Sequence, residues 1–194
     1  ESVEIKIFGK TAKIKNASTS IRQGMAMLPE DRKNVGLFMN FDIRENIASI
    51  HNKDVLKNFG IFGIINQKQV SNIARKYMKG FHIKSSGITS MVADLSGGNQ
   101  QKVVISKCLS IEPKILIMDE PTRGVDVGAK AEIYDLLHSL RKNQKKSIIV
   151  ISSELKETLS ECDRILVMKN GKIVGELEGD DICSNKALQL AFNG

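Results

Sequence analysis

Apolar and polar residues alternate in blocks along this chain, and the period of each block predicts its element. Val3-Glu-Ile-Lys-Ile-Phe8 switches at every step, the habit of a half-exposed strand, and Gly9-Lys10 after it reads as a hairpin turn. The opening therefore reads as a short strand hairpin and a helix or turn, leading to the apolar strand Met25-Ala-Met-Leu28, which stops at Pro29. A charged loop follows, Glu30-Asp-Arg-Lys33, then Gly36. From Asp42 to Met91 the spacing becomes helical, in Ile43, Ile47 and Ile50 and again in Val70, Ile73, Ala74 and Tyr77. Phe59-Gly-Ile-Phe-Gly63 interrupts it, so this stretch is expected to be an inserted helical segment.

Beyond it, residues 100–109 predict a helix with Val103, Val104 and Cys108 on one face. A buried strand is expected at 115–118, a helix at 129–142, a strand at 148–151, a helix at 155–161 and a strand at 165–168. Short apolar strands alternating with amphipathic helices predict an α/β fold, with helices on the faces of a parallel sheet core. Lys169-Asn-Gly-Lys172, between two strand-like runs, predicts a type I′ hairpin and so some antiparallel strands.

Composition narrows the classes. The 194 residues are 41% apolar and 26% charged, ordinary for a globular chain. Runs such as Ile148-Ile-Val-Ile151 fall far short of the roughly 20 residues a membrane helix needs. Cys108, Cys162 and Cys183 form no CxxC pair and have no His at ligand spacing, so neither a disulfide framework nor a zinc site is expected. The net charge of +7 invites nucleic acid, but the basic residues are scattered, tryptophan is absent, and two tyrosines are too few to stack bases. No nucleic-acid partner is expected.

Two strings carry chemistry. Leu95-Ser-Gly-Gly-Asn-Gln-Gln-Lys102 places a serine and two glycines at the start of a helix, where unsatisfied N–H groups and the positive dipole end suit a phosphate. Ile115-Leu-Ile-Met-Asp-Glu120-Pro-Thr122 puts Asp119 at the carboxyl end of a strand, where ligands collect in open parallel sheets and a carboxylate can hold Mg²⁺ through water. Glu120 follows, placed to orient an attacking water. No G-x-x-x-x-G-K-[ST] phosphate loop occurs; Gly9-Lys10-Thr11 fails the pattern because the required earlier glycine is Glu4.

These strings resemble the signature and Walker B motifs of the ABC ATPases, and Thr122-Arg-Gly-Val-Asp-Val-Gly128 resembles the D-loop, with Asp126 on the family's aspartate. The resemblance implies a truncated ABC-type P-loop NTPase domain working with ATP and Mg²⁺. In that family two domains face each other head to tail, each ATP lying between one domain's phosphate loop and the other's signature. Nucleotide contacts are then expected from Ser96, Gly97, Gly98, Asn99, Gln100 and Asp126, metal binding from Asp119, and catalysis from Glu120, Glu30 and Ser153. Glu30 stands where most members carry the Q-loop glutamine, adding negative charge beside ATP. Ser153 stands where most carry the switch histidine; its hydroxyl can hydrogen-bond but cannot present a cation.

Pro29-Glu-Asp-Arg32, the Leu95 octapeptide and Pro121-Thr-Arg-Gly-Val-Asp-Val-Gly128 together resemble the second ATPase domain of the tandem proteins that energise bacterial uptake of ribose, galactose, xylose and related sugars. That resemblance divides the chain into a β-subdomain remnant with the Q-loop (1–41), a helical subdomain (42–94), a RecA-like core (95–178) and a C-terminal tail (179–194). It implies a C-terminal piece of a larger protein at the cytoplasmic face of the bacterial membrane. The expected partners are the N-terminal ATPase domain of the same protein, membrane permease subunits and, indirectly, a sugar-binding protein. Glu30, Arg32, Leu37, Phe38 and Phe41 would line the permease groove. Alone, the chain is expected to bind Mg-ATP negligibly and hydrolyse none. A nucleoside or signalling-sugar importer, a catalytically silent regulatory ABC domain, and a soluble ABC ATPase are the alternatives.

Overall fold

A computed structural model of the chain describes residues 4–50 and 66–193, so the glycine-rich stretch 59–63 lies outside the described residues. Two compact units emerge, Glu1–Ile151 and Ser152–Gly194.

The first unit opens with the antiparallel hairpin β1 (Lys6–Ile7) and β2 (Lys10–Thr11). Phe8 and Gly9 both take positive φ, 49° and 75°, as a type I′ turn requires, so the hairpin turn lies one residue before the expected Gly9-Lys10, and Lys10 already belongs to β2. Helix α1 (Ala17–Arg22) is opened by a capping box between Asn16 and Thr19. Three parallel strands form the central sheet: β3 (Met25–Leu28), β4 (Ile115–Asp119) and β5 (Ser147–Ile151), in the order β3-β4-β5. Leu28, Leu116 and Met118 are fully buried on one face and share a core with Val103, Val104, Ile105, Ile133 and Leu140. On the other face Met27, Ile149 and Ile151 are exposed. β4 is therefore not dry on both sides as expected. It alternates buried and half-buried residues, the period of a sheet covered on one face.

Of the residues at helical spacing, Ile43 and Ile47 fall in one helix and Val70, Ile73, Ala74 and Tyr77 in another, while Ile50 lies in a turn beyond the first. α2 (Ile43–Ala48) starts at a capping box of Asp42 and Glu45, and α3 (Gln67–Gly80) starts at Asn66. Ile43, Ile47, Val70 and Ala74 are buried. Helix α4 (Gly97–Leu109) begins before the expected residue 100, because Ser96 serves as its N-cap. Helix α5 (Val127–Gln144) begins early for the same reason, with the Asp126 side chain accepting from the Ala129 N–H. No described helix is long and apolar enough to cross a membrane.

The second unit contains α6 (Leu155–Glu161), the antiparallel pair β6 (Arg164–Lys169) and β7 (Lys172–Glu178), and α7 (Ser184–Asn193). Asn170 and Gly171 turn the hairpin at φ 50° and 75°, the type I′ geometry that Asn-Gly predicts. Ile165, Leu177 and Ala187 form its core.

Candidate functional site

Strands β3 and β4 run in register, Leu28 opposite Met118, so the loops that leave their carboxyl ends lie side by side. Arg32 opens a single helical turn, Arg32–Gly36, that follows β3. Its Nη1 donates to the Arg123 carbonyl at 2.8 Å, its Nη2 to the Gly124 carbonyl at 3.2 Å, and its Nε to Gln100 Oε1 at 3.5 Å. Burial pushes the Arg32 pKa down, with the charge of Asp31 acting the other way. The Arg123 side chain in turn pairs with the Glu30 carboxylate, both about half exposed. Glu30 thus faces a guanidinium, which offsets the negative charge it brings to the loop.

The start of α4 is built against these same loops. Ser96 Oγ is exposed and accepts from Asn99 Nδ2 at 2.9 Å and from the Asn99 N–H at 3.4 Å, while Asn99 Oδ1 accepts from the Lys84 N–H at 2.8 Å. Gln100 is buried and donates to the Val92 carbonyl at 3.0 Å. The two glycines have a packing reason within the chain. A Cβ on Gly97 would stand 2.8 Å from Arg32 Nη2 and 3.1 Å from the Gly124 carbonyl oxygen, and one on Gly98 would stand 2.5 Å from Ala129 Cβ. Asp126 caps α5 beside them, so Gly97, Gly98, Gln100 and Asp126 gather around Arg32 and the first turn of α5.

Asp119 is the last residue of β4, opposite Ile151 on β5. Glu120 turns the chain out of the sheet with φ 46°, a left-handed conformation uncommon outside glycine, and its N–H donates to the Ile151 carbonyl at 2.8 Å. Among the described residues no group of three or more His, Cys, Asp and Glu could hold a metal ion. Ser153 is exposed and belongs to the second unit.

Sequence reasoning undervalued Arg32, Arg123 and Gln101. The signal was present: two adjacent strand ends carry loops of mixed charge, Glu30-Asp-Arg32 and Glu120-Pro-Thr-Arg123, which only the strand register brings into contact.

Residues 1–123 match the sequence profile described as ABC transporter. The chain belongs to that family. It is 48% identical over 191 residues to the xylose import ATP-binding protein of Thermoanaerobacter pseudethanolicus, covering 98% of this chain and 37% of that protein. It is 43% identical over 194 residues to the ribose import ATP-binding protein of Lactococcus lactis subsp. cremoris, covering 100% of this chain and 38% of that one. The chain thus spans well under half the length of these relatives. Among solved structures it is similar to an ATP-binding cassette in a dimeric post-hydrolysis state bound to ADP and Pi, with TM-score 0.71 and 20% identity over 90% of this chain and 72% of that one. The α/β architecture described above is therefore that of the ABC ATPases, with a parallel sheet flanked by helices.

Proposed function

We propose that this chain is one ATPase domain of a bacterial monosaccharide importer, the second of a tandem pair. On this reading it presents Ser96, Gly97, Gly98 and Asn99 to an ATP whose phosphates are cradled by the other domain of the same polypeptide. The observation that carries the reading is the exposed Ser96 at the start of a thirteen-residue helix, braced from behind by Arg32, Gly124 and Ala129. An exposed, rigid helix N-terminus is a ready anion site, and its glycines are fitted inward so that its outer side stays open. The sugar-import names of the relatives support the substrate class.

Asp119 would hold Mg²⁺ through water, and the ion would neutralise phosphate charge in the second, opposite site. Glu120 would orient water there with Glu30, and Ser153 would take the switch position that the family resemblance assigns to it. A hydroxyl in place of an imidazole at Ser153 supports a slow or impaired second site, while the Arg123 pair offsets the charge that Glu30 brings. The uncovered apolar residues Met27, Ile149 and Ile151 support a further segment, bearing the phosphate loop, that covers this sheet face. The exposed pair Phe38 and Phe41, with ring centroids 5.3 Å apart, supports permease docking on the helical side. Their place in the cell would be peripheral, at the cytoplasmic face of the membrane, with a sugar-binding protein acting through the permease.

The test is sugar-stimulated ATP hydrolysis by the full-length polypeptide reconstituted with its permease. Ser96→Arg, which fills the phosphate approach with a long side chain, should abolish turnover, whereas Glu120→Gln should leave most of it. Full turnover in Ser96→Arg would overturn the reading.

A further inference from the structure

We propose that Arg32 is a positioning residue that clamps the start of α4 and the loop 123–126 together, so that both meet the nucleotide as one surface. The proposal rests on the reading above and deepens it, because neither the signature nor the D-loop motif contains Arg32.

One planar guanidinium reaches three acceptors, the carbonyls of Arg123 and Gly124 and the amide oxygen of Gln100. These acceptors belong to the two strings expected to touch nucleotide. The Gly97 backbone closes over the same guanidinium, near enough that a methyl there would collide with Nη2. A fork of fixed geometry holds two consecutive carbonyls at once, which a lysine ammonium on a flexible stem does not reproduce. The neighbouring Glu30–Arg123 pair is exposed and gives little by itself. The weight of the clamp therefore falls on Arg32.

Arg32 also ends a continuous track. The helical turn it opens is held to α4 farther along, where Lys107 Nζ donates to the Gly36 carbonyl at 3.0 Å and lies 4.8 Å from the Phe38 ring centroid. The Phe38 N–H then donates to Asn46 Oδ1 at 2.8 Å, inside α2. Residues 32 to 38 thus connect the exposed Phe38–Phe41 pair, through contacts with α4 and the Arg32 side chain, to Gly97 and Gly124.

The experiment uses the full-length polypeptide carrying this chain, with Arg32→Ala, Arg32→Lys and, as a control that removes the adjacent exposed cation, Lys33→Ala. Hydrogen exchange of peptides covering 96–99 and 123–126 should rise by about tenfold or more in both Arg32 variants, while 103–108 and 115–118 keep their protection. In the same variants kcat for ATP should fall by about tenfold or more with KM within about twofold, the pattern of an interaction made in the transition state. Lys33→Ala should stay within about twofold of the parent in both measurements. Arg32→Lys behaving like the parent would overturn the proposal, because any cation would then serve. Exchange rising equally in the core peptides of both variants would overturn it too, because Arg32 would then support the fold and not the site. If the unmodified polypeptide hydrolyses no ATP, the functional reading fails, and the exchange comparison still decides the clamp.

Discussion

Gln101 donates from Nε2 to the carbonyl oxygen of Pro121 at 2.7 Å, away from solvent. The bond fastens the first turns of α4 to the loop that leaves β4, and it joins the two strings that carry the candidate chemistry. Gln101→Leu keeps the volume and removes the donor, leaving a buried carbonyl without it, at a cost of about 1–3 kcal/mol. Urea denaturation should show a lower midpoint with an unchanged slope. Gln101→Glu should lose more, since an ionised carboxylate cannot donate and would be buried facing a carbonyl oxygen.

Gly98 is fixed by its neighbour. A methyl there would overlap Ala129 Cβ at 2.5 Å, so Gly98→Ala must push α4 from α5, an overpacking cost of about 1–3 kcal/mol. At Gly97 a Cβ would stand 2.8 Å from the end of the Arg32 side chain and 3.1 Å from the Gly124 carbonyl oxygen, a milder overlap than the one at Gly98. Gly97→Ala should therefore destabilise less than Gly98→Ala in the same denaturation assay. Ala129→Gly removes the colliding methyl, so the double variant Gly98→Ala with Ala129→Gly should recover most of the loss, short of about 1 kcal/mol for glycine within a helix. No recovery would show that the overlap is not what selects glycine at residue 98.

The contrast between Gly98 and Arg32 shows which physics the sequence exposes. Periodicity reports burial against a face, so Ile43, Ile47, Val70 and Ala74 declared their helices, and the three parallel strands appeared as apolar runs. Turn chemistry reports local φ, so Asn170-Gly171 was legible as a hairpin turn, whereas the first hairpin was read one residue late, at Gly9-Lys10, because the apolar Phe8 reads as the end of the strand. The signature string was legible by resemblance, but the reason for its glycines was not. Gly97 and Gly98 answer to Arg32 and Ala129, residues distant in sequence that register and helix packing bring together. Likewise the exposure of Met27, Ile149 and Ile151 depends on what covers the sheet, which an apolar run cannot report. Helix starts were placed too late at α4 and α5 because capping by Ser96 and Asp126 overrides the first apolar residue of the pattern.

Cysteine reactivity separates core from surface. Cys108 is buried in α4, its Sγ 3.4 Å from the Met27 carbonyl, and burial pushes its thiol pKa to about 12 against the opposing charge of Lys107. At about pH 8 such a thiol is ionised to about one part in 10⁴, and the thiolate is the reacting species. Burial also raises Cys162, with Asp163 and Glu161 adding to it, but that residue is only half-buried. Alkylation of the native chain with iodoacetamide, followed by peptide mapping, should label Cys183 and Cys162 and spare Cys108 until denaturant is added. Labelling of Cys108 at the rate of the other two would mean that α4 opens readily from the sheet.

Tyr77 gives the fold a defined alkaline limit. Its hydroxyl donates to the Leu109 carbonyl at 2.7 Å, joining α3 to the end of α4. Burial, with Glu112 adding to it, raises its pKa to about 12 from an ordinary value near 10. Ionisation is therefore easier in the unfolded chain, which releases the proton first. The stabilisation from Tyr77 is fully present below about pH 10 and is lost as pH rises through about 12. Tyr77→Phe removes the hydroxyl and should cost about 1 kcal/mol at neutral pH for the lost hydrogen bond. Between about pH 10 and 12 the parent should lose stability more steeply than Tyr77→Phe, so that their denaturation midpoints converge. Parallel curves across that window would place the Tyr77 hydroxyl in water and break the link between α3 and Leu109.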